Sequence, residues 1–194
     1  MFSQVDICNL ALTWLGANRI SSFSDPQASD CAFLFDKVRV AELSKQFWAF
    51  ASTRATLPAL AAKPSWGYAN QFELPVDCLT IIQINDYSNR YGAPLYQEKN
   101  DAAYMIEGRQ ILTNFAAPLK IRYVVDVKDP GLFHPLFARV MAAAIARDLC
   151  YRLKQDRAGV DDWYNSELSD ARKQNAIIRA PVNMLESSYV MARL

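Results

Sequence analysis

The chain is poor in the residues from which active sites are usually built. It has a single histidine, His134, in 194 residues, so a histidine-based triad or multi-histidine metal site has little to draw on. Its six glycines form neither G-x-G-x-x-G nor a P-loop, and nucleotide binding lacks its usual backbone cradle. The four cysteines, Cys8, Cys31, Cys78 and Cys150, include no C-x-x-C pair and all stand in apolar segments. They read as buried, reduced thiols in a reducing compartment, with neither a disulfide framework nor a zinc site. No charge of one sign dominates: the net charge is +1, which gives no global pull toward nucleic acid or a membrane surface. Long apolar runs are missing too. The most apolar segment, Val140 to Ala146, is too short to span a bilayer. Met1 to Asp6 has no basic start followed by an apolar run, so the expectation is a soluble, unexported chain.

What remains is a folded composition, 52% hydrophobic and 21% charged, with enough chain for one compact domain or two closely joined lobes. Ser3 suits a helix cap with Asp6 in the first turn. Ile7, Cys8, Ala11, Trp14 and Leu15 then recur at helical spacing until Gly16. Ser24-Asp25-Pro26 announces a second helix to about Phe47, apolar at Ala28, Cys31, Ala32, Phe35 and Val38. From Thr53 to Val127 the period shortens. Strands are expected near 54–57, 71–74, 79–84, 104–107, 110–113 and 119–127, with Glu107-Gly108-Arg109-Gln110 as a tight hairpin. In the last strand Leu119, Ile121, Tyr123 and Val125 alternate with Lys120, Arg122 and Asp126, which implies one buried face. The helical period returns after Asp129-Pro130, predicting helices over 135–154 and 160–178.

The order of elements implies an α+β fold: a four-helix core with an inserted antiparallel β lobe and an extended C-terminal arm. Residues 1–52 and 129–180 form the helical domain in this reading, 53–128 the β-rich lobe and 181–194 the arm. Catalysis finds no foothold. His134 precedes a proline at a helix start, where it reads as a cap, and Asp161-Asp162 sit where they complement a helix dipole. No catalytic, cofactor-binding or metal-binding residue is assigned, and no cofactor is implied.

Four features point to contacts instead. Arg139, Arg147 and Lys154 fall within roughly 80° of arc on the third helix. Such a stripe is by default a solvated face; the alternative is a contact to a DNA backbone or to an acidic neighbouring subunit. Asp148 and Arg152 are spaced as an i,i+4 ion pair, placed by the helical wheel on the apolar side with Phe137 and Met141, and would pair internally or meet another chain. Ala142, Ala143, Ala144 and Ala146 suit close approach of another helix, within the subunit or between subunits. In the last segment Val182, Met184, Leu185, Tyr189, Val190, Met191 and Leu194 are apolar without a clear period, which suits an arm that folds back or reaches a neighbour.

The segments DICNLALTWLGANRISS, WAFASTRATL and WGYANQFELPVDCLTIIQI, in that order, resemble the tail tubular protein A family of tailed bacteriophages. The likeness runs from about Val5 to about Ala176. It matches Ile7–Ile20 to the first helix and turn, Phe47–Leu57 to a helix end, and Leu74-Pro75-Val76-Asp77-Cys78-Leu79 to a strand start. It also matches Tyr104–Thr113 to the hairpin and Leu119–Met141 to the last strand and following helix. The resemblance implies a structural, non-enzymatic virion protein with a helical core and a β-rich lobe. Such proteins form a homo-oligomeric ring, commonly a dodecamer, as the head-to-tail connector between the portal protein and the tail nozzle protein. Double-stranded DNA passes through the lumen without sequence recognition, and no membrane is involved. Location in the virion tail, after assembly in the host cytoplasm, follows from the same resemblance. Two rivals stand beside it: a small DNA-binding or regulatory protein using the Arg139–Lys154 stripe, and an enzyme with an acid-only site.

Overall fold

The computed structural model describes residues 2–25, 28–85, 87–88, 104–153 and 157–178. Within them four helices and two antiparallel sheets follow one another: α1 (Gln4–Trp14), α2 (Ser29–Ser44), β1 (Ser52–Leu57), β2 (Asn70–Glu73), β3 (Cys78–Ile84), β4 (Tyr87–Ser88), β5 (Tyr104–Glu107), β6 (Gln110–Thr113), β7 (Leu119–Val125), α3 (Pro135–Cys150) and α4 (Arg157–Ile178). This is an α+β fold, with a β region between two helix pairs. The arm residues 181–194 lie outside the described residues.

Contacts divide the chain into two compact units. One comprises residues up to Arg39 together with those from Asp129 onward; the other is Val40–Lys128. The first division therefore falls inside α2, where the sequence reading set it at 52/53.

In the helical unit, α1 is closed at both ends by its own sequence. The Ser3 side chain accepts from the Asp6 N–H, and the Asp6 carboxylate accepts from the Ser3 N–H, a reciprocal capping box. At the other end Gly16 adopts φ 65°, the Gly16 N–H reaches the Thr13 carbonyl and the Ala17 N–H reaches that of Leu12. That pair of bonds is a Schellman closure, and glycine takes its left-handed position without steric cost. The α3 helix packs against both α1 and α4 and is buried on nearly every side, from Phe137 and Ala138 through Val140–Ala146 to Leu149 and Cys150. All four of the alanines noted above are thus covered within the chain. Small side chains let neighbouring helices approach closely, so their burial already accounts for them.

Three helix ends differ from the spacing. The α2 helix begins at Ser29 and stops at Ser44, short of Phe47, because the chain folds back and the Trp48 indole N–H donates to the Glu42 carbonyl at 3.0 Å. The α3 helix stops at Cys150, where the N–H groups of Arg152 and Leu153 both turn to the Leu149 carbonyl. The α4 helix starts about one turn early, at Arg157, whose side chain bonds Asp161 four residues on.

In the second unit one sheet has the order β1-β7-β3-β4 and the other β2-β6-β5, with every pairing antiparallel. Leu57, Ile81, Ile84, Leu119, Ile121 and Tyr123 from the first sheet join Phe72 and Ile111 from the second in one apolar cluster. The alternation read in β7 holds for Leu119, Ile121 and Tyr123, but Val124 is fully buried as well. The β3 register shifts opposite this stretch, and such irregularities locally re-aim side chains.

Candidate functional site

In the helical unit a buried carboxylate ties α3 to α4. The α3 helix opens with Pro135 in its first turn and His134 as its cap, the His134 Nδ1 accepting from the Leu136 N–H at 3.3 Å. The lone histidine is therefore engaged in capping the start of α3. One turn further in, the Arg139 guanidinium grips Glu167 of α4 with two bonds, Nε to Oε2 at 2.8 Å and Nη2 to Oε1 at 2.5 Å. Glu167 Oε1 also accepts from the Trp163 indole N–H at 3.0 Å. The carboxylate is buried, while the Arg139 side chain keeps 48% of its surface exposed.

This arrangement fixes the protonation of both partners. The Arg139 hydrogen bonds, opposed by burial and aided by Trp163, hold the Glu167 carboxyl below its ordinary range. The Glu167 hydrogen bond raises Arg139 in turn. A carboxylate kept charged and taken up by three donors makes a poor general base. Its work is to fix the register of α4 on α3. Trp163 carries the network outward: its ring stacks on that of Trp14 from α1, with centroids 4.2 Å apart and planes 9° from parallel. Trp14 itself is half exposed.

Two members of the basic stripe thus face the same neighbour. Arg139 meets Glu167, and the Arg147 guanidinium lies 4.3 Å over the Tyr164 ring, also on α4. Lys154 lies outside the described residues.

The expected Asp148–Arg152 pair does not form. Arg152 lies beyond the last residue of α3, so helical spacing no longer relates it to Asp148, and its guanidinium meets the Asp30 carboxylate at the start of α2. Both Asp148 and Arg152 are exposed, which corrects their placement on the apolar side. Arg152 and Asp30 border a cleft of about 410 Å³ with Leu12, Gly16, Cys31 and Leu149.

Two further charges are buried where the helical spacing alone gives no partner. Arg39 and Glu42 of α2 are both buried; Arg39 pairs with Asp36 at 3.2 Å, and Glu42, only 2% exposed, meets the Lys45 ammonium at 2.5 Å. A signal for Glu42 was present: Cys31, Phe35, Val38 and Glu42 follow the spacing of one helical stripe, and the charge stands where that stripe calls for an apolar residue.

Cys8, Cys31 and Cys150 are free and buried, and Cys78 is free and half-buried. The Cys8 and Cys31 thiols share a hydrogen bond between α1 and α2. This contact and burial push Cys8 far above the ordinary thiol range. Burial lifts Cys78 to about 11. Tyr123 is pushed to about 12 by burial and by the bond its hydroxyl donates to Asp77 at 3.1 Å. Among the described residues no group of three or more His, Cys, Asp or Glu side chains is placed to hold a metal ion, and no helix is long and apolar enough to cross a membrane. The seven apolar arm residues, Val182 to Leu194, fall outside the described residues. The sequence matches no protein-family model and no curated protein.

Proposed function

We propose that the protein is a structural virion component, a head-to-tail adaptor that closes into a ring between a portal and a tail nozzle. The genome passes through the lumen, the ring resides at the head–tail junction after assembly in the host cytoplasm, and the chain performs no catalysis. The observation that carries this reading is the chain order of the fold: a helical unit left within its second helix for a unit of antiparallel strands and resumed for two more helices. That is the arrangement implied by the resemblance of the ordered segments between Val5 and Ala176. A ring further needs two different surfaces that meet head to tail, and a C-terminal arm reaching a groove on the next subunit supplies such a contact.

The alternative of a DNA-binding protein gains no observation in its favour. Arg139 and Arg147 are engaged with Glu167 and Tyr164 of their own chain. The experiment is negative-stain imaging of the purified protein, alone and mixed with a portal protein. Rings, with twelve-fold symmetry as the expected outcome, support the adaptor. A chain that stays monomeric in both samples, at concentrations where the portal itself is assembled, overturns it.

A further inference from the structure

The second unit carries a groove of about 500 Å³ on one face of the β2-β6-β5 sheet. Strand register sets its floor: Gln71, Leu112 and Met105 stand side by side across the three strands, and Gln110 and Glu107 form the next row. The other face of the same strands, with Phe72 and Ile111, belongs to the apolar cluster. Residues 63–68 add Lys63, Trp66 and Tyr68 to the lining. The volume lies within the range of small-molecule sites.

Gln71 is only 9% exposed, and its backbone carbonyl is taken by the Leu60 N–H at 2.9 Å. Its side-chain amide lines the groove and bonds no described residue. The amide atoms open onto the solvent of the groove, where a ligand can reach them. Gln110, Glu107 and Lys63 are likewise without a side-chain partner among the described residues, and the Trp66 ring is 84% exposed on the rim.

We propose that this groove is a binding site for a neutral saccharide. The C–H face of a sugar ring lies against Trp66, and its hydroxyls meet the Gln71 and Gln110 amides and the Glu107 carboxylate. A primary amide offers donors and an acceptor together, which matches vicinal hydroxyls, each of which does both. The chemistry disfavours other ligand classes. Lys63 and Glu107 oppose one another in charge, which leaves no excess of positive potential for a phosphate. A wholly apolar ligand would cover Gln71 without satisfying it. An extended peptide adding to the sheet would use a strand edge, in the plane of the strands, whereas the groove lies on their face. This inference concerns binding alone and stands independently of the ring.

The test is saturation-transfer NMR and tryptophan fluorescence on the full chain with maltose, cellobiose and N,N′-diacetylchitobiose at millimolar concentration. At least one sugar is expected to bind and to shift the fluorescence of Trp66. Trp66→Ala and Gln71→Leu should each weaken that binding about tenfold or more, as expected for removing a stacking platform or a hydrogen-bonding group. Ile106→Ser, on the other face of β5, should leave it unchanged. Trp66 is so exposed that its replacement leaves the fold intact, which a thermal melt confirms. Absence of transfer from all three sugars overturns the proposal, as does sugar binding indifferent to both groove variants. A neutral peptide that perturbs Trp66 while the sugars do not overturns it in favour of a protein partner.

Discussion

At Glu167, one carboxylate takes three donors, and its charge state is tied to the fold. Its folded pKa is depressed, chiefly by Arg139. The stabilisation is therefore fully present above the ordinary glutamate value of about 4.3 and is lost as pH falls through the lower folded value. Glu167→Gln should lower stability by about 1–2 kcal/mol at neutral pH, a figure kept small because Arg139 is half exposed and screened by solvent. The gap between wild type and variant should narrow on acidification. Urea denaturation of both proteins at neutral pH and at about pH 3 measures it. A constant gap would show that packing, and not the ion pair, explains the loss. The wheel identified Arg139 as one of a charged stripe, but a wheel gives a direction and no partner. The partner lies 28 residues away on α4. On α4, Val160, Trp163, Tyr164, Leu168, Ala171 and Ile178 recur at helical spacing as one apolar face. In the structure Glu167 is buried on it and Ile178 is exposed. A charge enters an apolar face only when tertiary contacts satisfy it, and periodicity carries no record of those contacts.

Individual elements were more legible where local chemistry decides them. Ser3 and Gly16 bracket α1, and the hairpin β5–β6 sits on the expected residues. Gly108 occupies the first loop position at φ 58°, while Arg109 keeps a negative φ, the pattern of a type II′ turn. A Cβ at Gly108 meets nothing within 4 Å, so the cost of substitution there is backbone strain alone. Gly108→Val should destabilise the protein by about 1–2 kcal/mol, and Gly108→Asn by less, because asparagine tolerates the left-handed region. Thermal melts rank the two; equal losses would contradict the strain account. The end of α2 was not legible, because a residue beyond the helix sets it. Trp48→Phe keeps an aromatic ring but removes the N–H that reaches the Glu42 carbonyl, so a loss of about 1 kcal/mol or more is expected in urea denaturation. An unchanged midpoint would mean that packing of the ring alone ends the helix.

For the whole molecule, the α+β layout and the insertion of strands between helix pairs followed from the change of hydrophobic period. The position of the division did not. Period distinguishes helix from strand, whereas compact units are separated by where contacts thin out, and that occurs inside α2. Assembly also belongs to this scale, and its sharpest expectation concerns residues 181–194. Seven large apolar side chains stand there, from Val182 to Leu194, and the described part of α4 leads toward them through Ile177 and Ile178, both exposed. Burying one such side chain contributes roughly 1.5–3 kcal/mol. In the proposed ring, several of them repeated at each contact would outweigh a considerable cost of ordering the arm. Deletion of 181–194 should leave a subunit with an unchanged melting profile that forms rings poorly or fails to recruit its tail partner, as sedimentation and negative-stain imaging would show. Unfolding of the truncated chain would assign the segment to the subunit's own core. Rings and partner binding equal to those of the full chain would exclude the arm as an assembly element, and closure would then have to come from surfaces of the two folded units alone.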